Sequence, residues 1–145
     1  MALNPKVPHT HFTQFPGNSV VSFHHYNLSL FWSEVLSKHG DRPALAYSDQ
    51  TISYSQLGCI VERLADKLIS LGLQRGDVVA IAHSKKTLSY ALMLASLRIG
   101  LPYVCIDVDS PQKRNHKILE TSDPSLLCFD NANVSEKMQS LAKKI

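Results

Sequence analysis

The chain has 145 residues, 44% of them hydrophobic and 19% charged, the composition of a globular domain, or part of one, that can bury a core. Its net charge is +3, and its cations are scattered or paired, as at Lys85–Lys86 and Lys143–Lys144, with a looser group at Lys113, Arg114 and Lys117, not the dense basic stripe of a nucleic-acid binder. No apolar run reaches the ~18 residues that cross a bilayer, and MALNPKVPHTHF does not read as a secretory signal. Neither nucleic acid nor membrane is an expected partner.

Residues 1–27 read as a leader or linker, punctuated by Pro5, Pro8, Pro16 and Gly17 without a sustained period. His9, His11, His24 and His25 would be metal ligands only with a third partner nearby, and no carboxylate or cysteine lies close in sequence, so a polar linker is the reading preferred over a metal site. From Leu28 the spacing predicts a helix over LSLFWSEVLSKHG, with Leu28, Phe31, Trp32, Val35 and Leu36 on one face and Gly40 as its stop. Ala44–Tyr47 and Thr51–Tyr54, joined by Ser48-Asp49-Gln50, read as a hairpin. Leu57, Ile60, Val61, Leu64, Leu68 and Leu71 mark the next helix, opened by a Ser53-x-x-Gln56 capping box and closed by Gly72.

Gln74-Arg75-Gly76-Asp77 makes a turn into a strand at Val78–Ala82. Thr87–Ile99 is apolar almost all round and predicts a helix buried on more than one side, stopped by Gly100. Tyr103–Ile106 is a strand, Ser110 an N-cap with Pro111 in the first helical position, Ser125–Phe129 a further strand, and Val134–Lys144 a last short helix. Strands alternating with helices over short loops argue for an α/β fold, a mostly parallel sheet with helices on both faces. Cys59, Cys105 and Cys128 are too few and too far apart for a disulfide framework or a CxxC metal site. Their apolar neighbours predict small buried thiols in a reducing cytoplasm.

The residues display little chemistry. The six glycines form neither GxG nor GxxxxGK, and GxSxG and HExxH are absent. Asp107 and Asp109 follow a strand and precede a helix, where carboxylates of α/β enzymes can hold a metal or act as acid and base. They fit equally as turn and helix-start residues that favour the positive end of a helix dipole, the preferred reading.

The order of the motifs is nonetheless recognisable. ISYSQL, with Ser53, Tyr54, Gln56 and Leu57, resembles the first core motif of amino-acid adenylation domains, L-[TS]-Y-x-E-L. LRIGLPYVCID, with Gly100, Tyr103 and Asp107, resembles the second, L-K-A-G-x-A-Y-V-P-L-D. Around them, GLQRGDVVAI, with Gly76 and Asp77, is similar to the family's turn and strand, and HGDRPALAY to its entry strand after the first helix. SPQKRNHKILETSDPSLLCFD follows the second motif with Pro111 and Arg114 in the matching positions. IDVDSPQKR also resembles the V-D-x-S-x-P-x-x-R of D-alanine–carrier-protein ligases. Gln56 for Glu, Leu101-Pro102 for a small pair, and Cys105 and Val108 for Pro mark a divergent member or a relaxed constraint.

The resemblance, over about Leu28 to Asp130, implies the N-terminal part of an AMP-forming adenylation domain of nonribosomal peptide synthesis. Such enzymes use ATP and magnesium to convert a carboxylic acid to an acyl-adenylate and pass the acyl group to a carrier thiol. Their phosphate-binding loop T-S-G-[ST]-T-G-x-P-K-G, amino-acid pocket, ribose contact, hinge and catalytic lysine come later than the stretch these 145 residues match. The expectation is therefore a leader over 1–27 and an N-terminal subdomain over 28–145, incomplete as a full fold. The chain alone is expected to carry no catalytic, cofactor-binding or metal residue and to be inactive, its matched residues structural. The implied partners are the remainder of the domain, in cis or in trans, with a carrier protein or condensation domain beside it. The alternatives are a non-catalytic interaction module docking on such domains, or an unrelated α/β binding domain.

Overall fold

The computed structural model describes residues 28–134; the expected leader with its four histidines, and all but the first residue of the helix expected from Val134, lie outside them. The elements are α1 (Leu28–His39), β1 (Pro43–Ala46), β2 (Thr51–Ser53), α2 (Tyr54–Ser70), β3 (Val79–His83), α3 (Thr87–Ile99), β4 (Tyr103–Asp107), α4 (Gln112–Ser122) and β5 (Leu126–Phe129). β1 and β2 form an antiparallel hairpin, and the other strands a parallel sheet in the order β4-β3-β5.

β3 is central, and Val79, Ala80, Ile81 and Ala82 are each 0% exposed, as a strand covered on both faces requires. Its alternation divides the core in two. Val79 and Ile81 meet Val61, Leu68, Ala91, Leu92 and Ala95 of α2 and α3. Ala80 and Ala82 meet Ile106, Leu119 of α4 and Val134 on the other face. The expected helices on both faces of a parallel sheet are thus in place.

α2 begins with the expected capping box: the Ser53 hydroxyl accepts from the Gln56 N–H at 3.2 Å, and the Gln56 side chain accepts from the Ser53 N–H at 2.9 Å. Leu57, Val61, Ala65 and Leu68 recur on its buried face, whereas Leu71 is exposed because the helix ends at Ser70 and Leu71 is its C-cap. α3 buries Ser89, Ala91, Leu92, Ala95 and Ser96, a mostly small set that lets α2 and β3 approach closely. Gly100 stops it in the left-handed region at φ 77.

Four local expectations need correction. Of the face expected on α1, Trp32 is buried, but Leu28 and Phe31 remain 64% and 51% exposed. Contacts of α1 with α2 include Leu36 over Gly58 and the Trp32 ring, whose centroid is 5.9 Å from that of Tyr54. Gly40 does not stop α1 by a left-handed turn, since the positive-φ glycines among the described residues are Gly72, Gly76 and Gly100. It is a site of close approach: a Cβ there would lie 3.0 Å from the Leu36 carbonyl oxygen and closer still to the Ser55 hydroxyl, while the Gly40 carbonyl accepts from the Ser55 N–H at 2.8 Å.

At α4 the N-cap is Pro111, one residue later than expected, and no side chain caps the helix. The turn before it is closed instead by Asp107, whose carboxylate accepts from the Asp109 N–H and whose carbonyl accepts from the Ser110 N–H. Finally, Cys59 and Cys105 are exposed and Cys128 is half-buried. Cys59 lies on the outward side of α2, and Cys105 on β4, at an edge of the sheet among the described residues.

Candidate functional site

In an open α/β sheet, ligands gather where the chains leaving neighbouring strands part to opposite faces. Here β3 leads into α3, which covers one face, while β5 leads into a helical turn whose Val134 packs on the other. Chains part on both sides of β3, since α4 after β4 also packs on that second face; His83 and Asp107 end the β3–β4 side, and Asp130, 8% exposed, occupies the point between β3 and β5.

Donors from three segments converge on this carboxylate. The Ser84 hydroxyl reaches both oxygens at 2.9 and 3.0 Å, the Ser84 N–H and the Ser89 hydroxyl of α3 donate to Oδ2, and the Asn131 amide donates to Oδ1 at 2.9 Å. The Asn131 amide also donates to the Ser84 hydroxyl at 2.8 Å, and its own carbonyl accepts from the Val134 N–H at 2.9 Å, capping the turn. Lys85 adopts φ 61, an uncommon conformation for a side-chain-bearing residue, which carries the loop around the carboxylate. Burial alone would raise the Asp130 pKa; the bonds from Ser89, Ser84 and the Lys86 backbone outweigh it and hold the carboxyl below the usual aspartate range. An acid so held is a poor proton acceptor, and its oxygens are already engaged. Its role is to tie the β3–α3 loop to the end of β5.

The residues matched to family motifs are not gathered at this point. Gly76 and Gly100 meet at the amino end of the sheet, where the Gly76 N–H donates to the Gly100 carbonyl at 3.3 Å. The Asp77 carboxylate closes the preceding turn by accepting from the Gln74 N–H at 2.7 Å, and Tyr103 opens β4 beside them. Ser53, Tyr54, Gln56 and Leu57 build the junction between the hairpin and α2. Asp107, Pro111 and Arg114 lie around the β4–α4 turn, which Asn115, 1% exposed, pins through a bond from its amide to the Asp107 carbonyl at 2.9 Å. Sequence reasoning passed over Ser84, Ser89, Asp130 and Asn131. The available signal was positional: Ser84 and Asp130 each follow directly on an apolar strand.

These residues do not fit a nucleoside triphosphate or its magnesium. Both oxygens of the buried carboxylate are engaged by donors from Ser84, Ser89 and Asn131, and among the described residues no three His, Cys, Asp or Glu side chains could hold a metal ion. Burial pushes the half-buried Cys128 thiol above its usual range, away from nucleophilic thiolate. No described helix is long and apolar enough to cross a membrane.

The profile of the AMP-binding enzyme family matches residues 32–145. Vanchrobactin synthetase VabF of Vibrio anguillarum is 32% identical over 99 residues, which is 68% of this chain and 4% of the synthetase. Surfactin synthase subunit 2 of Bacillus subtilis is 33% identical over 96 residues, 66% of this chain and 3% of that subunit. The Klebsiella oxytoca NpsA N-terminal subdomain, in complex with 3-hydroxyanthranilyl-AMSN, superposes with a TM-score of 0.71 at 26% identity, covering 79% of this chain and 29% of that one. The chain therefore spans a small part of its synthetase relatives and under a third of the NpsA chain.

Proposed function

The chain belongs to the AMP-binding enzyme family, and from that premise we propose that it is the N-terminal portion of an amino-acid-activating adenylation domain, contributing scaffold and no reacting group. The complete domain would form an aminoacyl-adenylate from ATP, with magnesium, and pass the acyl group to a carrier protein in peptide synthesis without a ribosome. The leader over 1–27 and the subdomain over 28–145 are the units of this reading, which places the protein in the cytoplasm. The observation that carries it is the match in fold and sequence to an adenylation N-terminal subdomain, combined with a parting point whose carboxylate is engaged by its own neighbours. Family residues at Ser53, Tyr54, Gln56, Leu57, Gly76, Asp77, Gly100, Tyr103, Asp107, Pro111 and Arg114 are then non-catalytic, and all but the exposed Arg114 close a turn, start an element or pack one.

The partner of this scaffold is the remainder of the domain. The exposed Leu28, Leu30 and Phe31 of α1, with Ile69 and Leu71 at the end of α2, favour a surface that something else covers. The same α1 residues favour a second reading, an interaction module that docks on a condensation or carrier domain.

Amino-acid-dependent pyrophosphate–ATP exchange decides the main claim. The purified 145-residue chain is expected to give none, and a longer polypeptide carrying the phosphate-binding loop and amino-acid pocket is expected to give exchange with one amino acid. Exchange by the short chain overturns the scaffold role, and none by the longer polypeptide with any amino acid overturns the activation role.

A further inference from the structure

We propose that the groove between β4 and α4 docks an extended acidic segment of a separate partner polypeptide, laid along the open edge of β4. The groove has a volume of about 740 Å³, an apolar floor including Val104, Pro111 and Ile118, and a rim of Lys113, Arg114 and Lys117. All three cations are exposed, and the ion pairs found among the described residues, Lys38–Glu34 and Arg98–Glu62, do not involve them.

The placement of these cations opposes the preferences of their own helix. Lys113 and Arg114 stand in the first turn of α4, which has no acidic residue, at the positive end of the helix dipole where cations are disfavoured. Lys113 and Lys117 are four apart on the helix and repel. Local conflict of this kind marks functional positions. Beside them β4 pairs with β3 on one side, and no described strand covers the other. Its outer N–H and carbonyl groups can accept an added strand, whose apolar side chains would fill the floor and whose acidic ones would meet the rim.

Charge selects the occupant. Residues 1–27 contain Lys6 and no Asp or Glu, and residues 135–145 contain Glu136 against Lys137, Lys143 and Lys144, so neither of these two segments complements the rim. A second copy carries the same net charge of +3. A nucleic acid would leave the apolar floor uncovered. The groove also differs from the one between α2, α3 and β5, where Leu64, Leu68, Leu71, Leu88, Leu92 and Leu126 are accompanied by the single charge of Lys67. That lining suits permanent burial by continuing chain, whereas an apolar floor within a charged rim is the anatomy of a recognition surface.

The test uses the full chain and a short fluorescein-labelled synthetic peptide in which Glu and Val alternate, followed by fluorescence anisotropy. Binding is expected, weakened by added salt and by about tenfold or more in a Lys113→Glu, Lys117→Glu variant. Amide shift changes in the wild-type chain are expected to centre on residues 103–121, a readout that stands if the variant does not fold. The proposal is overturned by absent binding, by polyglutamate or an RNA oligonucleotide binding as well as the peptide, or by shift changes elsewhere. It is also overturned by binding indifferent to the charge reversal, or by a dimer that the reversal disperses, which gives the groove to a second copy. An adenylation polypeptide that continues past these residues is expected to bind the peptide too; loss of binding there assigns the groove to that polypeptide's own remainder and overturns the proposal.

Discussion

Asp130→Asn keeps the shape of the buried side chain and removes its charge, leaving one acceptor oxygen where the Ser84 N–H, the Ser84 and Ser89 hydroxyls and the Asn131 amide converge. Bonds to a charged acceptor contribute about 1.5–3 kcal/mol each and neutral ones about 0.5–1.5. The new amide also turns a donor toward donors. Weakening the three bonds to one oxygen and losing the fourth, from Asn131, gives an expected destabilisation of about 3–5 kcal/mol. Urea unfolding followed through Trp32, the single tryptophan and a buried one, measures it. The sign of the pH effect follows from the lowered carboxyl pKa of the folded state. Between the folded and unfolded values the unfolded chain binds more protons, so stability rises with pH there. The contribution is complete above the unfolded value and is lost as pH falls through the lower folded one. Wild type is therefore expected to lose more stability in acid than Asp130→Asn. A neutral-pH difference within about 0.5 kcal/mol, the scatter of ordinary surface changes, or parallel acid profiles, would refute the reasoning.

Gly40→Ala places a Cβ against the Ser55 hydroxyl and the Leu36 carbonyl and is expected to cost about 1–3 kcal/mol by overpacking; adding Ser55→Ala should restore part of it in the same urea assay. Ser53→Ala removes the acceptor of the α2 capping box and is expected to lower stability by about 1 kcal/mol. Ser96 is 0% exposed with an unpartnered hydroxyl, so Ser96→Ala is expected to raise stability, by up to about 1 kcal/mol, visible as a higher urea midpoint.

The sequence was most legible where a signal is local. The Ser53–Gln56 box, the apolar run of α3 and the left-handed Gly100 each depend on a few neighbouring residues, and each element starts or stops where those residues require. Alternating helices and strands then carried the layered architecture. The outward face of α1 was not legible, because the spacing of Leu28, Phe31 and Trp32 describes a stripe without saying how much of it meets a neighbour. Cys105 and Cys128 occupy similar apolar strands, yet one is exposed and the other half-buried, a difference made by the sheet and the helices over it. Asp130 was hardest to see, since its donors Ser84 and Ser89 lie 46 and 41 residues away.

That distance bears on where chemistry could arise in a complete domain. β3 and β5 are adjacent, but α3, β4 and α4 intervene in the chain, so the Asp130 cage closes one of the longest loops among the described residues. A carboxylate buried at this point without those donors would have its pKa raised by burial and would loosen the junction whenever it took up a proton. Engaged by Ser84, Ser89 and Asn131 and held below the usual aspartate range, it stays ionised at neutral pH and keeps the carboxyl ends of β3 and β5 fixed. A scaffold that positions reacting groups supplied by another part of the domain needs that fixity more than it needs reactivity. What supports the proposed scaffold role is thus the way Asp130, the most buried acid among the described residues, is committed, rather than any lack of polar residues at the end of the sheet.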